Sequence, residues 1–262
     1  MKLRLPVALL LGASILASCA KKLESITLAG STAFQPFAEA LAENYMDTKQ
    51  DINVIVQGGG SAVGINAAST GAAQIGMADL VVLPAEAAGL VPVVVARDGI
   101  SLIVNPANPV ADLGLEELRR LFNGEIRNWK ELGGRDAEVT VVSREAGSGT
   151  RSSFEKIVGG IELTDDAIVQ DSNGTIRETV ANDKNAIGYL SHGLVNDKVR
   201  AVSIDGIAGT SESIVSGLYP LVRPVFFLTK GERSGSIKDF IDYVLGPEGQ
   251  AFIVEGGLIA AK

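Results

Sequence analysis

Three features predict an α/β protein. Apolar runs of strand length recur along the chain, and stretches with helical periodicity separate them. Three of the strands also run directly into Gly/Ser/Thr turns that open helices: Gly30-Ser31-Thr32, Gly58-Gly59-Gly60-Ser61 and Gly147-Ser148-Gly149-Thr150. Each turn would present backbone N–H groups and hydroxyls at the positive end of a helix, a ready anion site. Arg144 stands just before the third turn, and a guanidinium forks well onto an oxyanion. A single such turn would be an ordinary helix cap. Three, with an arginine beside one, point to a pocket for a small tetrahedral anion. In α/β sheets ligands lie outside the carboxyl ends of the strands, where these turns would fall.

After a polar tether over residues 20–25, Ile26-Thr27-Leu28 reads as the first strand. Phe34, Phe37, Ala38, Leu41, Ala42 and Tyr45 then follow helical spacing, with Pro36 in the first turn where its missing N–H does no harm. Residues 52–56 form the next strand, and Ser61 caps a helix carrying Val63, Ile65, Ala67 and Ala68. Residues 74–78 read as a third strand ending at Asp79. Residues 91–95 and 100–104 read as a pair of buried strands flanking Arg97-Asp98-Gly99. A second unit begins near Asn105, punctuated by Pro106 and Pro109, with an amphipathic helix over 115–122 and a turn at Asn128-Trp129 closed by Gly133-Gly134. The strand over 139–142 delivers Arg144 to the third turn. A helix over 175–181 and a strand over 187–190 follow. Residues 219–228 are an extended return segment in which Pro220 and Pro224 favour an edge or crossing position. Helices over 237–245 and 250–255 end the chain. This alternation predicts parallel strands.

The first residues set the expected compartment. Met1-Lys2-Leu3-Arg4 is a basic start, and residues 5–16 are an apolar stretch too short to span a membrane comfortably. Leu16-Ala17-Ser18-Cys19 then has the pattern of a lipoprotein signal, with Cys19 acylated as the first mature residue. Residues 1–18 are thus the signal and 19–25 the tether of an extracytoplasmic, lipid-anchored protein. Cys19 is the only cysteine, so no intramolecular disulfide is possible, and one Cys with one His excludes a Cys/His zinc cluster. Lys and Arg number 23 against 31 Asp and Glu, a net charge of −8. That balance argues against nucleic acid or anionic lipid as the main partner. Any anion must be captured by local dipoles, which is feasible because distant charges are screened beyond about 8 Å at physiological salt. The length suits one large or two medium domains, and 46% hydrophobic residues suffice for a full core.

Several segments together carry a resemblance. They are Val56-Gln57-Gly58-Gly59-Gly60-Ser61-Ala62-Val63-Gly64-Ile65, Gln74-Ile75-Gly76-Met77-Ala78-Asp79 and Arg144-Glu145-Ala146-Gly147-Ser148-Gly149-Thr150-Arg151. Asn105-Pro106-Ala107-Asn108-Pro109-Val110, Leu121-Phe122-Asn123-Gly124 with Asn128-Trp129, Ile187-Gly188-Tyr189 and Gly246-Pro247-Glu248-Gly249-Gln250 extend it over the mature chain. The ordered set resembles the phosphate-binding proteins of bacterial ABC importers. The resemblance implies a type II periplasmic-binding-protein fold, two α/β lobes closing over phosphate. Lobe 1 would hold residues 26–100 and lobe 2 residues 101–219, with 220–262 returning to lobe 1 and crossings near 99–104 and 219–226. It also implies a monomer without metal or cofactor, delivering phosphate to a permease and its ATPase.

In that frame Ser31 and Thr32 donate hydroxyl and N–H bonds to phosphate, with the Ala33 N–H close by. Ser61 joins them from the second turn, and Ser148, Gly149 and Thr150 close the site from the other lobe. Arg144 is the main positive charge, and Arg151 is a further candidate contact. A carboxylate accepts hydrogen bonds only. Asp79 would therefore accept the proton that hydrogen phosphate carries and repel sulfate, which carries none. Some relatives place an acid immediately before the Gly-Ser-Gly to pair with the arginine; here that residue is Ala146. Glu145, one place earlier, would project differently, leaving Arg144 less firmly held or neutralised elsewhere. Alternatives are a binding protein for sulfate, molybdate or tungstate, against which Asp79 argues, and an anchored phosphate sensor uncoupled from transport. An enzyme is disfavoured. Gly-x-Ser-x-Gly is absent, His192 reads as a surface residue, and no Gly-x-x-x-x-Gly-Lys phosphate loop occurs.

Overall fold

Eleven strands and eight α-helices make up the described part of the molecule, residues 23–261 of a computed structural model. The predicted signal and Cys19 lie outside the described residues. The chain opens with β1 (Glu24–Gly30), α1 (Gln35–Thr48), β2 (Ile52–Gln57), α2 (Ser61–Thr70) and β3 (Ile75–Asp79). A 15-residue strand follows, β4 (Leu90–Val104). Then come β5 (Asp112–Leu113), α3 (Leu115–Phe122), β6 (Thr140–Arg144), α4 (Gly149–Val158), β7 (Ile168–Gln170), α5 (Asn173–Asn182), β8 (Ala186–Ser191), β9 (Arg200–Ile204) and α6 (Ser211–Val215). The chain returns through β10 (Val222–Lys230) to α7 (Gly235–Leu245), α8 (Pro247–Glu255) and β11 (Ile259–Ala260).

The strands run β2-β1-β3-β10-β4-β8-β6-β7, with β9 and β11 also paired to β4 and β5 paired to β9. The sheet is mixed rather than all parallel. β1 runs parallel to β2 and β3, and β6 parallel to β7 and β8. β10 is antiparallel to β3 and β4, and β4 is antiparallel to β8. The crossing strands cause the mixture, because each must leave one half of the molecule and enter the other.

Two large hydrophobic cores lie on either side of those crossings. One gathers Ile26, Leu28, Phe34, Leu41, Met77, Phe227, Phe240 and Ile253, so the C-terminal helices pack on the elements that open the chain. The other gathers Leu102, Val104, Leu118, Phe122, Trp129, Phe154, Tyr189 and Val202. β4 gives Val95 and Ala96 to the first core and Ile100, Leu102 and Val104 to the second. This is the two-lobe fold with two crossings.

Two local expectations are corrected and one is narrowed. Residues 91–95 and 100–104 are one continuous strand, not two around a turn. Gly99 is held extended there by pairing with Val222 of β10, and a Cβ on it would lie 2.6 Å from Ile214 Cδ1. Of the edge or crossing position expected for the return segment, β10 takes the crossing one, inside the sheet, and it tolerates Pro224 because pairing with β3 starts one residue later, at Val225 opposite Asp79. Finally, Gly60 is the cap of α2 at φ 90°, and Ser61 is its first helical residue. A side chain at Gly60 would be strained by that φ and would meet the Gly147 carbonyl oxygen at 2.8 Å.

Candidate anion-binding site

The three glycine-rich turns meet. Gly60 N–H donates to the Gly30 carbonyl at 2.9 Å, joining the first turn to the second. Ala62 N–H donates to the Gly147 carbonyl at 3.2 Å, joining the second to the third. The N-termini of α1, α2 and α4 therefore converge, and backbone N–H groups of a first turn have no partner inside their own helix. All three dipoles favour negative charge at that point.

Arg144, at the end of β6, is almost completely buried. Its Nη2 donates to Thr32 Oγ1 at 3.1 Å across the two halves and to the Asp171 carbonyl at 3.2 Å. Its Nη1 has no hydrogen-bond partner among the described residues. Glu145 turns back onto it, accepting from Nε at 2.8 Å and from Nη2 at 2.8 Å. The expectation that Glu145 projects differently is thus corrected: the fork geometry holds the guanidinium plane from the neighbouring residue. Tyr189 braces the strand end, accepting from Arg144 N–H at 3.4 Å and sharing a 2.8 Å hydrogen bond with Ser143. Burial pushes its phenol up to about 12, so it remains a neutral prop.

Asp79 closes β3 from the opposite side and is buried. Ser61 Oγ donates to its Oδ1 at 2.8 Å, and Thr150 Oγ1 donates to Oδ2 at 3.4 Å from the third turn. Gly149 packs so closely that a Cβ would come 2.1 Å from Ser61 Oγ. Ser31 Oγ accepts from Phe34 N–H at 3.1 Å, Ala33 is buried in the same turn, and Ser148 Oγ accepts from Arg151 N–H at 3.2 Å. Arg151, the further candidate, is engaged by the protein: its Nε donates to Glu155 Oε1 at 2.7 Å and its Nη1 to the Arg144 carbonyl at 2.9 Å.

Sequence reasoning missed Arg223 and Asp98. Arg223 is fully buried on β10, and its Nη2 lies 2.7 Å from Asp79 Oδ2 and 2.8 Å from Asp98 Oδ2. The available signal was charge inside two apolar runs, Arg223 alone in its run and Asp98 beside Arg97. His192 is also corrected. It is half-buried, its Nδ1 lies 3.1 Å from Ser101 Oγ, and burial lowers its pKa. No group of His, Cys, Asp and Glu among the described residues could hold a metal ion.

A family profile described as "PBP superfamily domain" matches residues 17–248. The phosphate-binding protein PstS of Bacillus subtilis (strain 168) is 40% identical over 235 residues, covering 88% of this chain and 78% of that one. The chain belongs to the phosphate-binding proteins of ABC importers. Among solved members of this family, one described as a phosphate ABC transporter substrate-binding protein from Clostridium perfringens, with bound phosphate, superposes with a TM-score of 0.88 at 42% identity. The match covers 91% of this chain and all of that one. An ABC-type phosphate transport receptor from Vibrio cholerae matches with a TM-score of 0.76 at 35% identity over 89% of this chain and 99% of its own.

Proposed function

We propose that this chain captures inorganic phosphate between its two lobes and hands it to the permease and ATPase of an ABC importer, tethered outside the cytoplasm by a lipid on Cys19. Lobe 1 comprises residues 26–100 and 220–262, and lobe 2 residues 101–219. The protein acts as a monomeric binding protein, not an enzyme, and needs no cofactor.

One observation carries the reading: the buried Nη1 of Arg144 has no partner among the described residues while three helix N-termini converge beside it. A buried guanidinium N–H left unmet is costly, and an oxyanion oxygen meets it. Ser31, Thr32, Ala33 and Ser61 would donate from lobe 1, and Ser148, Gly149 and Thr150 from lobe 2. Asp79 would accept the proton of hydrogen phosphate. Arg151 supports the site indirectly by binding the Arg144 carbonyl. A micromolar site needs about −8 kcal/mol, and five or six charge-assisted hydrogen bonds of about 1.5–3 kcal/mol each suffice after the cost of association.

Titration calorimetry on the chain without its signal tests this. Phosphate and arsenate, both protonated at neutral pH, should bind, and sulfate should not. Absence of phosphate binding would overturn the reading.

A further inference from the structure

Resting on the phosphate reading of Asp79, we propose that Arg223 is a positioning residue that sets the preference for protonated over unprotonated oxyanions. Arg223 would not touch the anion itself. It stands behind Asp79, and a single nitrogen, Nη2, bridges the carboxylates of Asp79 and Asp98 at 2.7 and 2.8 Å. Asp98 is fixed in turn by Ser191 Oγ, which donates to Oδ1 at 2.9 Å from the end of β8. In the strand register Arg223 lies directly opposite Asp98, so the cation sits where both crossing strands change lobes.

Selectivity by Asp79 requires a fixed carboxylate that can only accept. Ser61 holds Oδ1 and Arg223 holds Oδ2, which leaves the group no freedom to turn. Without the cation, Asp79 and Asp98 would be two buried carboxylates facing one another. Burial and like charge both favour taking up a proton. A protonated Asp79 could donate to sulfate, and the discrimination would be lost. Asp98 already feels this environment: burial raises its pKa against the pull of Arg223.

The test measures the ratio of phosphate to sulfate affinity by displacement calorimetry in a double-mutant cycle. Arg223→Gln should lower that ratio by about tenfold or more, the value of one charge-assisted contact. In an Asp79→Asn background the same change should leave the ratio where Asp79→Asn alone puts it. Arg223→Lys, which keeps a cation but serves one carboxylate at a time, should fall between the native chain and Arg223→Gln. If Arg223→Gln does not fold, the Lys variant runs the same cycle. An unchanged ratio in the Arg223 variants, or an equal fall in both backgrounds, overturns the proposal while leaving phosphate binding intact. If Asp79→Asn itself still excludes sulfate, the parent reading of Asp79 fails and this proposal with it.

Discussion

Arg144 is held by Glu145, Thr32 and the Asp171 carbonyl, yet one of its nitrogens has no acceptor among the described residues. Its truncation therefore removes a charge-assisted donor that the fold has already oriented. Arg144→Ala should weaken phosphate binding by about 2–4 kcal/mol in calorimetry. Glu145→Gln should cost about 1 kcal/mol or less, because the Glu145 side chain is one-third exposed and its removal also takes a negative charge from the anion's surroundings. A loss from Glu145→Gln as large as that from Arg144→Ala would make Glu145 the group that determines the arginine's position. Asp79→Asn should act differently from both, letting sulfate compete while phosphate affinity falls less; continued exclusion of sulfate would remove the role given to Asp79. At this scale the meeting of Ser61, Thr150 and Arg144 around one point was legible from the turn residues and the nearby cation, whereas Asp79 was singled out only through the resemblance. Arg223 and Asp98 were not legible. Each looks like a turn or edge residue locally, and only the antiparallel register of two strands 125 positions apart turns them into an ion pair.

The elements were easiest to read where periodicity and capping agree. The helix expected over 115–122 is found there, started by the Glu117 carboxylate accepting from Gly114 N–H at 2.8 Å. The short strands β5, β7, β9 and β11 escaped because two to five residues carry too little pattern, and the sheet makes them rather than their own propensity. Reading 91–104 as two strands failed for a related reason: Asp98-Gly99 looks like a turn signal, but burial and the β10 partner keep it extended. The three helix-opening turns are the elements on which binding depends, and Gly149 tests their contact. Its backbone is not in the positive-φ region, and Ala is the better helix former, so Gly149→Ala should fold with unchanged or slightly higher stability. A Cβ there would nevertheless lie 2.1 Å from Ser61 Oγ and 2.6 Å from the Asp79 carbonyl oxygen, both in the opposite lobe. Overpacking of about 1–3 kcal/mol should then fall on the closed arrangement alone. Thermal melting without phosphate should be preserved while phosphate affinity drops; a native affinity would show that the two turns need not touch when the anion is bound.

At the scale of the whole molecule, the anchor and the hinge are separable. Cys19→Ser should abolish acylation and leave the protein unprocessed or released, and mass spectrometry finding no acyl group on the native chain would count against the anchor. No helix among the described residues is long and apolar enough to cross a membrane. The punctuation near Asn105 suggested a second unit and periodicity suggested parallel strands, which β1–β3 and β6–β8 contain, but the two-lobe plan with its antiparallel crossings came only from the ordered family motifs. The hinge prediction starts from where contacts cross between the halves: Arg144 to Thr32, Thr150 to Asp79, Gly147 to Ala62, and Ser153, whose hydroxyl accepts from Val81 N–H at 3.2 Å. Around the three turns these contacts are polar, and apolar packing between the halves lies near the crossing strands, where Leu194 packs against the first core and Ile259 against the second. An anion contacting both halves stabilises the closed arrangement by whatever it binds more tightly there than in the open one. Bending should concentrate where β4 and β10 exchange cores, around Asp98-Gly99 and Val222-Arg223. Small-angle scattering should therefore give a smaller radius of gyration with saturating phosphate than without it, and sulfate at equal concentration should change little. Superimposable curves with and without phosphate would mean that the site is preformed, and the chain would then bind its anion without the lobes moving.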